Sequence, residues 1–343
     1  MEKVKVVLYG VGAMGSLIAK FLLEKEGVEI VGAIDIAEDK VGKDLGEILG
    51  LGKQLGVAVS NDPDAVFSRV KADIMVHATT SFLKQVYPQI AKAIEHRTNV
   101  VSTCEELAYP YIAEPKIAQK LDELAKEHGV TVLGTGINPG FIMDTLAITL
   151  TDVCQKIERI KVTRIINAAM RRVPFQKKIG AGLSVKEFMD RIKRKTITGH
   201  VGLEQSTSMI ASALGWELDE IEVDAVEPVI AKTPVESKVI RVEPGQVAGL
   251  RQCSRGIMGG KKVVTLDLQA YIGAEEEYDS ISIEGVPNFH MKIAPCVHGD
   301  VGTVAIIVNS IPRVLKVPPG LVTMKDLPIP SAVLKDMRRF IYQ

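Results

Sequence analysis

A chain of 343 residues with 46% hydrophobic content is long enough to bury two cores, which excludes a disordered or small disulfide-stapled protein. Lysine plus arginine equals aspartate plus glutamate at 42 each, so no global field exists to gather nucleic acid or an anionic membrane surface. The four cysteines, Cys104, Cys154, Cys253 and Cys296, lack any CxxC spacing, and neither a basic leader nor an apolar stretch of membrane-spanning length is visible, so a reduced, cytoplasmic protein is expected.

Residues 4–9 read as a strand, followed by Gly10-x-Gly12-x-x-Gly15, a helical stretch, a second strand and then Asp35. A glycine motif in that context marks a dinucleotide site. Gly10 permits the sharp turn, Gly12 admits a pyrophosphate to the backbone and Gly15 lets helix and strand pack closely. Val11, Ala13 and Met14 complete the helix start, which offers N–H donors and a positive dipole end to phosphate. Asp35 is placed to accept ribose hydroxyls and to repel a 2′-phosphate, favouring NAD over NADP, although Lys40 and Lys43 stand near enough to soften that choice.

A short strand at 57–59, a helix at 63–69 and a clearer strand at 73–78 come next, the last ending in Thr79-Thr80-Ser81. Leu83, Val86, Ile90 and Ile94 then recur at helical spacing, followed by a strand at 99–102, a charged amphipathic helix at 115–128 and a strand at 130–133. This alternation predicts an α/β fold opening with a doubly wound, mostly parallel Rossmann domain over residues 1–145. Period-two runs then take over at 159–166, 238–242, 263–272, 280–283 and 289–293, with Gly259-Gly260 as a hairpin turn. They predict an α+β domain over 146–298 on a largely antiparallel sheet, with helices near 184–195 and 202–214. Helical spacing returns in 299–343 with Val304, Ile307, Val308 and Ile311 until Pro312, Pro318 and Pro319 break it, and this segment is expected to pack back on the first domain.

Ligands of an open parallel sheet bind beyond the carboxyl ends of its strands. Thr79 and Thr80 stand at one such end, suited either to the nicotinamide ribose or to capping a helix. Glu105 and Glu106 stand at another. Adjacent side chains cannot both face a site, so Glu105 is read as the inward acid or base, while its neighbour caps a helix or meets solvent; both as plain helix-start acids is the alternative. A third end is the glycine turn from Gly134 through Asn138 to Phe141. In the strand from 160 to 167, alternation puts Arg164 on the apolar face with Ile160, Val162 and Ile166. An arginine there needs a partner, either a buried acid or a substrate carboxylate held bidentately, and Arg171 and Arg172 nearby favour the substrate. His77, inside a strand, reads as a satisfied core residue. Cys296-x-His298-x-Asp300 lacks a fourth ligand, and no metal is expected.

Four segments, VVLYGVGAMGS from Val6, STCEELAYP from Ser102, GTGINPGF from Gly134 and HGDVGTVAIIVNSIP from His298, together resemble the 2,4-diaminopentanoate dehydrogenase family, whose fold is similar to dihydrodipicolinate reductase. The resemblance covers nearly the whole chain. It implies NAD(P)-dependent oxidative deamination of (2R,4S)-2,4-diaminopentanoate to 2-amino-4-oxopentanoate and ammonia in ornithine fermentation, Glu105 as the catalytic residue, and Asn138, Arg164 and Arg171 on the amino-acid end of the substrate, with Asn167 at the end of the same strand counted beside them. It further implies a homodimer formed through the second domain and, for some members, reductive amination of simpler ketones. The paired-histidine-plus-lysine motif of dihydrodipicolinate reductases is missing, and the catalytic lysine of homoserine dehydrogenases, similar in layout, lacks a counterpart. A dinucleotide-sensing protein without catalysis is the alternative of another class.

Overall fold

The computed structural model describes residues 2–341, which divide into two units: residues up to 141 together with those from 299 onward, and residues 142–298. In the first unit β1 (Val4–Tyr9) is apolar at nearly every position and buried on both faces, as a central strand of a parallel sheet must be. After it come α1 (Ala13–Leu23), β2 (Val28–Ile34), α2 (Leu45–Ile48), β3 (Val59–Ser60), α3 (Pro63–Arg69), β4 (Ile74–His77), α4 (Leu83–Glu95), β5 (Asn99–Ser102), α5 (Pro115–His128) and β6 (Thr131–Gly134). Asp62 caps α3, its carboxylate accepting from the Ala65 N–H at 3.0 Å, and Gly129, at φ +68°, ends α5 in the left-handed conformation.

The second unit begins with α6 (Thr145–Leu150), β7 (Lys156–Asn167), α7 (Val173–Lys178), α8 (Val185–Lys193) and α9 (Leu203–Ala213). It continues through β8 (Glu220–Val223), β9 (Glu227–Ile230), β10 (Val235–Glu236), β11 (Arg241–Val242), β12 (Val247–Met258), β13 (Lys261–Tyr271), β14 (Tyr278–Val286) and β15 (Phe289–Ile293). The chain then returns to the first unit as α10 (Gly299–Val314), packed against α1, β5 and β6, and β16 (Gly320–Val322).

The first sheet runs β16-β6-β5-β4-β1-β2-β3, every pair parallel. The order reverses between β1 and β4, which is the switch point where such sheets bind ligands. The returning segment, expected as helix and breaks, adds β16 as a further strand beside β6. In the second unit the sheet runs β15-β14-β7-β13-β12-β8, with β9 also on β12. The hairpin closes where the two glycines stand, Met258 facing Lys261. One pair departs from the antiparallel expectation: β7 and β13 are parallel, making the sheet mixed. Ile160, Val162, Leu266, Ile281 and Ile283 form its inner face at no more than 1% exposure, each contributing about 1.5–3 kcal/mol by burial. No helix among the described residues is long and apolar enough to cross a membrane.

Candidate active site

At the switch point, backbone contact dictates the glycines. Gly10 has φ +94°, and a Cβ on it would lie 2.3 Å from the Ala78 carbonyl oxygen; one on Gly15 would lie 1.8 Å from that of Gly10. Neither approach tolerates a side chain. A Cβ on Gly12 would meet nothing within 4 Å, so the space over the N-terminus of α1 is open. The first turn of α1 carries no acid, and its N-cap residue Gly12 provides no side-chain cap. Beside it lies a cavity of about 390 Å³ lined by Val11, Gly12, Ala13, Ser16, Lys40 and Lys43, with Met14 in the same first turn. Asp35 accepts hydrogen bonds from the N–H of Val11 at 2.7 Å and of Ala37 at 2.9 Å, and Lys40 Nζ stands 3.1 Å away. Burial pushes its carboxyl up, but the two backbone donors and Lys40 outweigh it and hold the group below the ordinary aspartate value. Open space, dipole and fixed carboxylate fit a dinucleotide.

The ends of β4 and β5 lie next to this turn in the sheet order. Thr79 Oγ1 donates to Gln89 Oε1 at 2.8 Å, and Thr80 Oγ1 donates to Gln85 Oε1 at 3.1 Å, so α4 holds both threonine hydroxyls. Beyond β5 the chain enters a short 3-10 turn, Glu106–Ala108, with Glu105 as its half-buried N-cap residue. The two glutamates separate there. Glu106 Oε2 accepts the Leu83 N–H at 2.7 Å, capping α4, whose own N-cap residue Phe82 provides no side-chain acceptor. Between the glutamates and β5, burial pushes the Cys104 thiol up to about 12 and the two acidic charges add to this, so it stays protonated and inert. At the end of β6 a Cβ on Gly134 would lie 2.4 Å from the Leu107 carbonyl carbon, so that strand packs directly on the glutamate turn. Half-buried Asn138 sits in the following glycine turn, tied to α10 by the Ile137 N–H donating to Thr303 Oγ1 at 3.3 Å.

In the second unit two expectations need correction. Arg164 shares the buried face with Ile160, Val162 and Ile166 as alternation requires, but it is only 1% exposed and its guanidinium is engaged internally. Nη1 donates to Asp279 Oδ1 at 2.5 Å and Nη2 to the Val297 carbonyl at 2.5 Å. Asp279 is its register partner on β14, so the buried acid is the partner and the substrate clamp is withdrawn from this position. Burial pushes the Asp279 carboxyl up, opposed by Arg164 and by the Val297 N–H at 2.8 Å. Asn167, expected on the substrate, has its side chain committed to the backbone: Oδ1 accepts the Ala169 N–H at 3.0 Å and Nδ2 donates to the Ala274 carbonyl at 3.2 Å. It caps the turn that leads to Arg171. Arg171 is half-buried, with its guanidinium carbon 5.7 Å from the Phe175 ring centroid, and it keeps its standing as the candidate cation.

Sequence reasoning missed a buried chain of side chains joining the ends of β4 and β5: His77 with Ser102, Gln89 and Thr79. A histidine closing a buried strand of a parallel sheet, beside two other strand ends, was the available signal.

The family model for the 2,4-diaminopentanoate dehydrogenase C-terminal domain matches residues 141–343, and that for the dihydrodipicolinate reductase N-terminus matches residues 4–134. The chain is 37% identical to the 2,4-diaminopentanoate dehydrogenase of Acetoanaerobium sticklandii, over 99% of this chain and 98% of that protein. Among solved structures, the amine dehydrogenase of Mycobacterium smegmatis superposes with a TM-score of 0.83 at 32% identity, covering 97% of this chain and 98% of that one. The dihydrodipicolinate reductase of Paenisporosarcina sp. TG-14, at TM-score 0.53 and 13% identity over 94% of this chain and 99% of that one, shares the fold alone.

Proposed function

Because the chain belongs to the 2,4-diaminopentanoate dehydrogenase family, we infer that it catalyses the NAD(P)-dependent oxidative deamination of (2R,4S)-2,4-diaminopentanoate to 2-amino-4-oxopentanoate and ammonia, with Glu105 as its acid and base. The observation that carries the assignment is the 2.7 Å bond between Glu106 and the Leu83 N–H. Glu106 caps α4, and the adjacent carboxylate, Glu105, stands at the start of the turn beyond β5, where the family reading places the catalytic acid and base.

A bound nicotinamide supplies the acceptor for the hydride that leaves C4 of the diamine. The residues do the rest. Glu105 takes a proton from water as its oxygen adds to the C4 iminium, returns that proton to nitrogen, and accepts the hydroxyl proton as the C–N bond breaks, so that ammonia departs and the ketone remains. The family reading assigns the amino-acid end to Asn138 in the first unit, and in the second unit it makes Arg171 the candidate cation for a carboxylate. Asp35 holds the ribose hydroxyls, and its charge favours NAD over NADP. The family reading brings with it a homodimer and a place in ornithine fermentation.

The test is to incubate the purified protein with NAD and the diamine, with homoserine and with dihydrodipicolinate, following NADH and ammonia together. Equimolar NADH and ammonia from the diamine are expected. NADH without ammonia, or turnover confined to another substrate, would overturn the reading.

A further inference from the structure

His77 ends β4 at 0% exposure, and both of its ring nitrogens are bonded to side chains. Nδ1 lies 2.8 Å from Ser102 Oγ; Nε2 lies 2.7 Å from Gln89 Oε1 and 2.9 Å from Thr79 Oγ1. An amide oxygen only accepts, so the ring proton belongs on Nε2, and Nδ1 must accept from the Ser102 hydroxyl. That hydroxyl in turn accepts the Cys104 N–H at 3.1 Å. Donation therefore runs one way, from the Cys104 backbone through Ser102 and His77 to Gln89, where the Thr79 hydroxyl also ends. Burial keeps the ring neutral, pushing it down to about 4, so Nδ1 is still an acceptor at neutral pH. The strand backbones lie in register under the chain: His77 pairs with Ser102, and the His77 carbonyl accepts the Thr103 N–H at 3.0 Å.

We propose that His77 is a positioning residue that locks two strand ends together, the β4 end carrying Thr79 on the cofactor side and the β5 end carrying Glu105 on the substrate side. The proposal rests on the roles read above for Thr79 and Glu105. Burial alone requires a partner on each ring nitrogen, but here Nδ1 is held by Ser102 at the end of β5 and Nε2 by Thr79, just after β4, and by Gln89 of α4, so the one ring ties the two strand ends together. A catalytic group held by locked neighbours stays within the small displacement that productive geometry tolerates.

The two arms can be cut separately. An asparagine amide overlays the Nδ1 side of the ring and can still accept from Ser102, whereas a glutamine amide reaches the Nε2 position and keeps the link to Gln89 and Thr79. Three quantities are measured in the intact protein: the NADH dissociation constant by fluorescence, kcat with the diamine at saturating NAD, and amide hydrogen exchange of residues 103–108. For His77→Asn the loss should fall chiefly on cofactor affinity, about three- to tenfold weaker. For His77→Gln it should fall chiefly on kcat, roughly 10- to 100-fold lower, with faster exchange in 103–108. Ser102→Ala, which keeps the ring and removes one hydroxyl, should reproduce the glutamine pattern and serves if either His77 variant fails to fold. Equal shifts of both properties in each variant, or none, would reduce His77 to a core residue and overturn the proposal. A wild-type protein that binds NADH but leaves the diamine untouched would sink the functional reading instead, and affinity and exchange would still decide the lock.

Discussion

Two adjacent glutamates with different work should respond differently to the same truncation. Glu106→Ala deletes a charge-assisted hydrogen bond of 2.7 Å to the Leu83 N–H and the favourable interaction of the carboxylate with the start of α4. Leu83 is 0% exposed and Phe82 offers no side-chain acceptor, so neither water nor the helix itself replaces what is lost. The cost is about 1–2 kcal/mol, which at an unfolding entropy of roughly 2.1 cal/mol/K per residue lowers the Tm of a 343-residue chain by roughly 1.5–3 °C. Glu106→Gln keeps an acceptor and should recover most of it. Glu105→Ala should leave Tm within about 1 °C and lower kcat by roughly 10²–10⁴-fold; Glu105→Gln cannot accept a proton and should be equally inactive. Differential scanning calorimetry beside steady-state kinetics on the four variants decides. A folded, inactive Glu106→Ala together with an active Glu105→Ala would refute the assignment.

Arg164→Met should destabilise the protein by about 3–5 kcal/mol by stranding the buried Asp279 charge, and adding Asp279→Leu should restore much of the loss, as a double-mutant cycle in urea would show; a stable single variant with a raised KM for the diamine would reinstate the clamp. His77, with its folded value pushed down to about 4 against an ordinary 6.5, binds its proton more readily in the unfolded chain. Its contribution is therefore complete above pH 6.5 and falls by roughly 3 kcal/mol as pH drops to 4. Urea titrations of wild type and His77→Asn across that window should differ in slope, and identical slopes would contradict a buried neutral ring. Asp35→Ser removes the charge set against a 2′-phosphate while Lys40 and Lys43 remain, so the ratio of kcat/KM for NAD over NADP should fall by about tenfold or more; an unchanged ratio would remove Asp35 from cofactor choice.

Much of the first unit was legible because its signals are local. The glycine motif, the acid that follows it and the helical stripe of 115–128 each fit within one turn of the argument, and α5 has those bounds. Long-range pairing was not. Periodicity reports which face of β7 is buried but not which way its neighbour runs, so the parallel β7–β13 pair was invisible. Strands of two to four residues, such as β8 to β10 and β16, are too short to show a period. Arg164 is the instructive case. Alternation correctly put it on the apolar face, but its partner lies 115 residues further along the chain, and an acid on a strand not yet paired could not be weighed against one on a substrate. At Glu105 and Glu106 the steric argument needed no distant residue, and a helix cap, one of the roles left open for the second of the pair, is what Glu106 has on α4.

The fate of one hydrogen tests oxidative deamination at C4 most directly. Diaminopentanoate deuterated at C4, turned over with NAD, should deliver its deuterium to the reduced nicotinamide, release one ammonia per NADH and leave the ketone at C4. Deuterium retained in the organic product, or nitrogen lost from C2, would contradict it.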